Sequence, residues 1–219
     1  MVEVKICGIN SPEAADTAAS AGADYAGLVF FPPSPRHVSY EQAASLAARL
    51  RNRCRIVAVL VDAVDAEIDA AVKAARPDFL QLHGRETPER VAAIRQRFSI
   101  SVIKAMAIAD AADLVVVPPY ERVADMLLFD AKAPQSASRP GGHGAAFDWQ
   151  LLRNRSFTRP WLLSGGLAPE NVARAIRACD APGVDCSSGV ETSPGAKSPQ
   201  LIRDFVAAAR AMQLAKAEA

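Results

Sequence analysis

Two side chains that can hold or release a proton end short apolar segments far apart in the sequence. Cys7 ends VEVKIC, and Asp130 lies near the end of DMLLFDA. A thiol and a carboxyl group that meet in one site could act as general acid and general base. Each also has a simpler interpretation, because a free cysteine is usually a small buried apolar residue, and Asp130 could cap a helix or pair with Lys5 or Lys132.

Two segments rich in glycine and serine indicate a phosphate ligand. Gly165 and Gly166 lie in LLSGGLAPENV, and Ser187 and Ser188 lie in GVDCSSGVET. Glycine lets the backbone come close to a ligand, and N–H groups at the start of a helix bind phosphate. One Gly-Gly pair is more often a turn, but two such segments after consecutive strands favour a phosphosugar site.

Three further residues are candidates for contact with a substrate. Arg36 lies in FPPSPRHVS, and its planar guanidinium suits a carboxylate, although a solvated surface charge is an equal alternative. His83 shares a strand face with Gln81, and it could instead be a hydrogen-bonded core histidine. Asp185 shares a strand face with Ser187.

Short apolar segments alternate with alanine-rich segments of helical pattern. Ser11 before Pro12, and Thr87 before Pro88, are typical of helix starts. The segment ADAADLVVVPPYERV has the least regular helical pattern. Strands are predicted to begin at Val2, Tyr25, Arg55, Asp78, Ser101, Asp125, Pro160 and Gly183.

Eight strand–helix units in 219 residues predict an α/β fold, a single (β/α)₈ TIM barrel of eight parallel strands with outer helices. We expect one domain over residues 1–219. A doubly wound open sheet is the alternative, but it often carries G-x-G-x-x-G after its first strand, where this chain has CGIN. The longest connections, 31–39 and 132–147, follow strands two and six at the end where barrel enzymes hold their active sites. The second contains His143, whose role the sequence does not reveal.

Alternation along a strand predicts which side chains enter the barrel. The apolar residues of VEVKIC should contact the helices, whereas Glu3, Lys5 and Cys7 point to the axis, with Cys7 nearest the rim. Asp130 has the matching position on strand six. Reference pKa values leave a thiol base and a carboxylic acid each mostly in the wrong form at pH 7, although Lys5 could stabilise a thiolate. The residues alone do not decide which is acid and which is base.

Composition excludes several classes of partner. Lys and Arg total 25 and Asp and Glu total 24, so no basic excess indicates nucleic acid binding. No apolar run is long enough to span a membrane, and no secretory signal precedes the first strand. The four cysteines form no C-x-x-C pair and the three histidines are far apart, so neither a disulfide framework nor a metal site is indicated. We expect a cytoplasmic protein.

Seven segments of the chain form an ordered set: KICGI, FPPSPRHVS, QLHG, LLFDA, GGHGAAFDW, LSGGLAPENV and GVDCSSGVE. Taken together and in order, they resemble the phosphoribosylanthranilate isomerase family of tryptophan biosynthesis. The resemblance implies the Amadori rearrangement of N-(5-phosphoribosyl)anthranilate to 1-(2-carboxyphenylamino)-1-deoxyribulose 5-phosphate, with no metal or organic cofactor.

The resemblance also implies roles for individual residues. Cys7 matches the general base that removes the C2 proton, Asp130 matches the general acid on the ring oxygen, and Arg36 lies near the anthranilate carboxylate. His143 and Asn10 depart from the family pattern without touching the acid–base pair. The residues expected to bind substrate are Arg36, His83, Gly165, Gly166, Asp185, Ser187 and Ser188.

Other functions remain open from the residues alone. One is a different phosphosugar isomerase or epimerase barrel, and another is a non-catalytic phosphosugar-binding protein. The partner is in either case a small phosphosugar, and the chain could be a monomer or a homodimer. A side activity on a histidine-pathway substrate is equally open.

Overall fold

Eight parallel strands close into a barrel in the computed structural model, which describes residues 1–132 and 147–217, with side chains as far as residue 211. Each strand pairs with the next along the chain, and β8 pairs with β1. The predicted barrel is therefore confirmed, and every strand begins within one residue of its expected position. The strands are β1 Glu3–Cys7, β2 Tyr25–Val29, β3 Arg55–Leu60, β4 Phe79–Leu82, β5 Ser101–Ile108, β6 Met126–Ala131, β7 Trp161–Leu163 and β8 Gly183–Cys186.

Seven α-helices are found among the described residues, and the predicted helix starts at Ser11 and Thr87 are confirmed. The Ser11 side chain accepts a hydrogen bond from the Ala14 N–H, and Thr87 accepts one from the Arg90 N–H. No helix in the described part of the chain is long and apolar enough to cross a membrane. The helices are α1 Pro12–Ala21, α2 Tyr40–Leu50, α3 Asp65–Ala75, α4 Pro88–Phe98, α5 Val117–Glu121, α6 Val172–Cys179 and α7 Pro199–Ala217.

Three connections differ from regular strand–helix units. The irregular fifth segment folds as a 3-10 helix, Ala111–Val116, followed by the single-turn α5, whose second and third residues are prolines. A 3-10 turn, Trp149–Leu152, precedes β7, and most of the long connection before it, including His143, lies outside the described residues. After β8, a two-stranded hairpin that the sequence analysis missed, β9 Glu191–Ser193 and β10 Ala196–Lys197, precedes α7.

The two faces of the barrel wall have the predicted alternation. Val4 and Ile6 are fully buried in the layer between strands and helices, together with alanines of α1 and α2. Cys7 belongs to a separate apolar cluster inside the barrel with Tyr25 of β2 and Leu128 of β6. Leu128 and Asp130 are two residues apart on β6, so Asp130 shares the inward face.

An aspartate just before each of three strands ties neighbouring strands together at the amino end of the barrel. In each case a carboxylate oxygen accepts a hydrogen bond from a backbone N–H near the start of the preceding strand. These contacts fix the register of three strand pairs at the end of the barrel away from the predicted site. They join Asp24 to Val4 at 2.7 Å, Asp78 to Ile56 at 2.7 Å, and Asp125 to Val102 at 2.9 Å.

A buried ion pair organises the loops after β3 and β4, next to His83. Lys104 on β5 contacts Glu86 at 2.8 Å, and the two side chains are only 3% and 4% exposed. Glu86 also accepts hydrogen bonds from the backbone N–H groups of Asp62 and Gly84, and Lys104 donates to the carbonyls of Leu82 and Gly84. Glu86 therefore connects two loops and one strand behind the rim.

Replacing Glu86 should destabilise the fold strongly. In Glu86→Ala, the Lys104 ammonium stays buried without its carboxylate, which costs about 3–5 kcal/mol in comparable buried pairs. Urea unfolding of the variant measures the free energy of unfolding.

Two control variants separate this effect from the loss of a surface charge. Glu170→Ala removes an exposed glutamate and should change stability far less. The double variant Glu86→Gln/Lys104→Met leaves no unpaired charge and should recover part of the loss. Wild-type stability of Glu86→Ala would contradict the role assigned to this pair.

Candidate active site

A buried ion pair lies beneath Cys7 inside the barrel. Lys5 Nζ lies 2.8 Å from Asp185 Oδ1, and Lys5 is fully buried. Ser164 Oγ donates a hydrogen bond of 3.2 Å to the other oxygen of Asp185. Gly27 of β2 leaves room for the thiol, since a Cβ there would lie 3.0 Å from Cys7 Sγ and 3.4 Å from Lys5 Nζ. Cys7 and Lys5 are therefore neighbours, as the alternation predicted.

Burial controls the protonation of Cys7. It raises the pKa of the Cys7 thiol above the ordinary value, and the carboxylate of Asp185 acts in the same direction. The ammonium groups of Lys5 and Lys197 oppose this rise in pKa without cancelling it. Lys5 thus favours the thiolate, as expected from the sequence, but in the free protein at neutral pH the thiol keeps its proton.

Asp130 is held by His83 at the end of β6. His83 Nε2 lies 3.1 Å from Asp130 Oδ2, and the amide nitrogen of Gln81 lies 2.8 Å from His83 Nδ1. When Gln81 donates to Nδ1, the ring proton lies on Nε2 and is donated to Asp130. The Ala131 N–H donates to Asp130 Oδ1 at 2.9 Å. His83 therefore has both ring nitrogens hydrogen-bonded, and it contacts the predicted acid directly.

Arg36 lies at the rim beside Cys7, and one edge of its guanidinium is hydrogen-bonded to a carboxylate. A Cβ at Gly8, the residue after Cys7, would lie 2.7 Å from Arg36 Cδ. Arg36 Nε and Nη2 donate to the two oxygens of Glu191 at 2.7 and 2.8 Å. These bonds leave the Nη1 N–H groups and one on Nη2 for a second carboxylate.

Glu191 and Lys197 are site residues that the sequence analysis missed. Lys197 Nζ contacts Glu191 Oε1 at 2.7 Å, and the side chains are 1% and 3% exposed. Glu191 follows SSGV directly, but no local pattern indicates that its partner is Arg36, 155 residues away. The sequence SPG at 193–195 was the available sign of a hairpin that buries Lys197.

The loops after β7 and β8 pack against each other and against the ends of β1 and β6. Gly165 and Gly166 have φ values of +87° and +64°, so this turn uses a backbone conformation that glycine adopts readily. A Cβ at Gly165 would lie 2.6 Å from the backbone nitrogen of Ala131, next to Asp130. Ser187 Oγ donates to the Cys7 carbonyl at 3.2 Å. Phosphate-binding loops here would adjoin both Cys7 and Asp130.

Asn171, which the sequence analysis did not select, shapes the Gly165–Gly166 turn. Its Oδ1 accepts a hydrogen bond from the Ala168 N–H at 2.9 Å, and its Nδ2 donates to the Gly166 carbonyl at 2.8 Å. Asn171 braces this turn just before α6, which begins at Val172. No group of three or more His, Cys, Asp or Glu side chains in the described ranges is arranged to hold a metal ion.

Comparison with known proteins identifies a family for this arrangement. The family model of N-(5'-phosphoribosyl)anthranilate isomerase matches residues 4–208. N-(5'-phosphoribosyl)anthranilate isomerase of Rhodopseudomonas palustris strain BisA53 is 54% identical over 212 residues, covering 97% of each chain. The enzyme of that name from Bradyrhizobium diazoefficiens is 52% identical over 215 residues, covering 98% of this chain and 96% of the relative.

Solved structures agree with the sequence relatives. Phosphoribosyl anthranilate isomerase of Thermotoga maritima superposes with a TM-score of 0.86 at 37% identity, covering 96% of this chain and 100% of that one. An isomerase solved in complex with reduced 1-(o-carboxyphenylamino)-1-deoxyribulose 5-phosphate has a TM-score of 0.82 at 35% identity, with the same coverage of both chains. This chain belongs to the N-(5'-phosphoribosyl)anthranilate isomerase family.

Proposed function

We propose that Cys7 and Asp130 are the general base and general acid of the isomerisation that this family catalyses. The reaction is the Amadori rearrangement of N-(5'-phosphoribosyl)anthranilate, a step of tryptophan biosynthesis. The observation that carries the proposal is that both side chains face the barrel interior at the carboxyl ends of β1 and β6. Loss of the fluorescence of the substrate on addition of purified protein, and complementation of a tryptophan auxotroph that lacks this step, test the activity.

The proposed chemistry has two proton transfers. Asp130 gives a proton to the ring oxygen while the C1–O bond breaks and the anthranilate nitrogen forms a C=N bond with C1. Cys7 as thiolate then takes the proton from C2, which yields an enol that rearranges to the ketone with a proton added at C1. Before the first proton transfer, Cys7 and Asp130 must together hold one proton.

The proposed roles depend on where that proton lies in the free protein. Burial raises the pKa of Cys7, so the shared proton lies on sulfur in the free protein. The productive form, with a thiolate, therefore requires Cys7 to lose the proton that burial retains on sulfur. Swapped roles, with Cys7 as acid and Asp130 as base, would use the protonated thiol and stand as the alternative.

Binding roles follow from the remaining rim residues. Arg36, fixed by Glu191, would give its free N–H groups to the anthranilate carboxylate. His83 would orient Asp130 while its ring edge borders the substrate. The larger set proposed for the phosphate and ribose lies on the two loops and on β8: Gly165, Gly166, Asp185, Ser187 and Ser188.

The domain organisation, the oligomeric state and the location of the chain are further proposals. We propose one domain over residues 1–219, supported by contacts of α7 with α1 and with α6 that close the ring of helices. Isomerases of this family include a dimeric protein from Thermotoga maritima and monomers derived from it, so monomer and homodimer both stand for this chain. The cytoplasmic location stays a prediction.

Replacing either proposed catalytic group should lower turnover and leave binding nearly intact. Cys7→Ser and Asp130→Asn should each reduce kcat about 10²–10⁴-fold, with KM close to that of wild type. Cys54→Ser is the matched control, because Cys54 donates to a backbone carbonyl at the amino end of the barrel. Near-normal turnover in either variant would remove that residue from the mechanism.

An isotope effect assigns the two roles. With substrate deuterated at C2, Cys7→Ser should show a larger isotope effect on kcat than wild type, because proton removal becomes the slow step. Asp130→Asn should show a smaller effect, because ring opening becomes slow. The reverse pattern would support the swapped roles.

The pH dependence should have a basic limb that belongs to Cys7. Below the raised pKa of the thiol the pair holds one proton, and above it the pair holds none, so kcat/KM should fall about tenfold per pH unit there. The limb should lie above the ordinary thiol value of about 8.5. A limb that persists unchanged in Cys7→Ser would belong to another group.

Adding a methyl group at Gly165 should weaken phosphate binding. Gly165→Ala places a Cβ 2.6 Å from the backbone nitrogen of Ala131 and strains a φ of +87°. Loss of one charge-assisted hydrogen bond of about 1.5–3 kcal/mol predicts a KM at least roughly tenfold higher. Gly22→Ala is the control, since Gly22 has a φ of +86° but nothing within 4 Å of its Cβ. An unchanged KM in Gly165→Ala would contradict the proposed phosphate loop.

A further inference from the structure

The hairpin after β8 buries a lysine at the rim of the barrel. The Lys197 side chain is 1% exposed, and its Nζ contacts Glu191 Oε1 at 2.7 Å and donates to the Ser187 carbonyl at 2.8 Å. A lysine with so little exposure is uncommon and needs a charged partner. The roles proposed above for the acid–base pair, the carboxylate and the phosphate do not use Lys197.

A short series of hydrogen bonds connects Lys197 with Cys7. Lys197 Nζ also lies 3.4 Å from Ser187 Oγ, and Ser187 Oγ donates to the Cys7 carbonyl at 3.2 Å. The hairpin is fastened from the other side, because Asn10 Nδ2 donates to the Gly195 carbonyl at 2.9 Å. The ammonium is therefore fixed at the same edge of the barrel as the thiol.

The charges around this hairpin sum to one positive charge. Glu191 is shared by Arg36 and Lys197, so two cations face one carboxylate. Lys5 and Asp185, the nearest pair on the other side of Cys7, cancel each other. Lys197 therefore supplies a buried cation that Glu191 only half compensates.

The groups near Cys7 come from β1, β2, β8, the hairpin and the loop after β2, where Arg36 is paired with Glu191. Lys5 on β1 and Lys197 on the hairpin lower the pKa of the thiol, Asp185 on β8 raises it, and Gly27 on β2 contributes no charge. Burial lowers the pKa of Lys197, whereas the carboxylate of Glu191 favours its charged form, as do the sulfur atoms of Cys7 and Cys186 when they are ionised.

We propose that Lys197 is a positioning residue that holds a buried positive charge beside Cys7 and so favours the thiolate needed for proton removal at C2. The inference rests on the proposed role of Cys7 as base, but its direct consequence, easier ionisation of Cys7, holds without any substrate. Glu191 limits the effect, because it binds Lys197 and Arg36 together. The hairpin then has an electrostatic role in addition to orienting Arg36.

Alkylation of Cys7 tests the proposal without turnover. Wild type and Lys197→Met are treated with iodoacetamide from pH 6 up to the pH at which the rate no longer increases, and modification of the Cys7 peptide is followed by mass spectrometry. The midpoint of the rate against pH reports ionisation, whereas the plateau at high pH reports access. We expect a higher midpoint in Lys197→Met and, at pH 7.5, at least about threefold slower alkylation, which corresponds to roughly half a pKa unit.

The variants are chosen so that the fold is preserved. Lys197→Met leaves Glu191 paired with Arg36, so no buried carboxylate loses all its partners. Lys197→Gln keeps a donor for the Ser187 carbonyl without the charge, and it should shift the midpoint in the same direction. Lys73→Met removes an exposed lysine of α3 and should leave the midpoint unchanged.

The outcomes separate this inference from the proposed function. If the midpoint of the alkylation rate is unchanged or lower in both Lys197 variants, the inference is overturned. The same conclusion holds if only the plateau of the rate or the melting temperature changes. The proposed role of Cys7 fails on a different result, near-normal turnover of Cys7→Ser. A raised midpoint together with a basic limb of kcat/KM displaced by the same amount supports both.

Discussion

The ion pair between Lys5 and Asp185 is the interaction on which the site depends. It lies inside the barrel where β8 closes against β1, and both side chains are almost fully buried. Breaking a buried pair by removing one partner leaves an uncompensated charge, so β1 and β8 must stay in register. That register presents Cys7 at the rim above the pair and lets Ser187 bond to the Cys7 carbonyl. The closure of the barrel and the surroundings of the thiol are thus one structural feature.

The charged residues around Cys7 and Arg36 form two groups, one neutral and one with a net positive charge. Lys5 and Asp185 form a neutral pair, whereas Arg36, Glu191 and Lys197 leave one positive charge. A substrate with a phosphate and a carboxylate brings negative charge into this environment. The Arg36–Glu191–Lys197 group therefore favours an anionic ligand, and its fixed hydrogen bonds mean that little reorganisation is needed when the ligand binds.

Much of this architecture could be predicted from the sequence because it is set by local patterns. The alternation of VEVKIC gave the inward face of Lys5 and Cys7, and Ser11 and Thr87 marked two helix starts. Two irregular segments were harder: the prolines of α5 oppose one continuous helix from Ala111 to Glu121, and Asn171 bonds to the Gly166 carbonyl just before α6.

Residues whose importance lies in long-range pairing could not be found in this way. Glu191 becomes significant only because Arg36 is its partner 155 residues away. Lys104 and Glu86 look like ordinary charges of a strand and a loop, and only the packing of three neighbouring elements buries them. A local pattern in a single sequence does not predict these contacts, because each charged side chain could pair with many residues of opposite charge.

We propose that the thiol of Cys7 and the carboxyl group of Asp130 act on one sugar from two sides of the barrel mouth. A crystal structure of this protein with reduced 1-(o-carboxyphenylamino)-1-deoxyribulose 5-phosphate measures this directly. We expect Cys7 Sγ at about 3–3.5 Å from C2 and an Asp130 oxygen within about 2.6–3.2 Å of the oxygen that leaves C1. An analogue bound at the rim with either side chain beyond reach of its atom, even through one water, would contradict it.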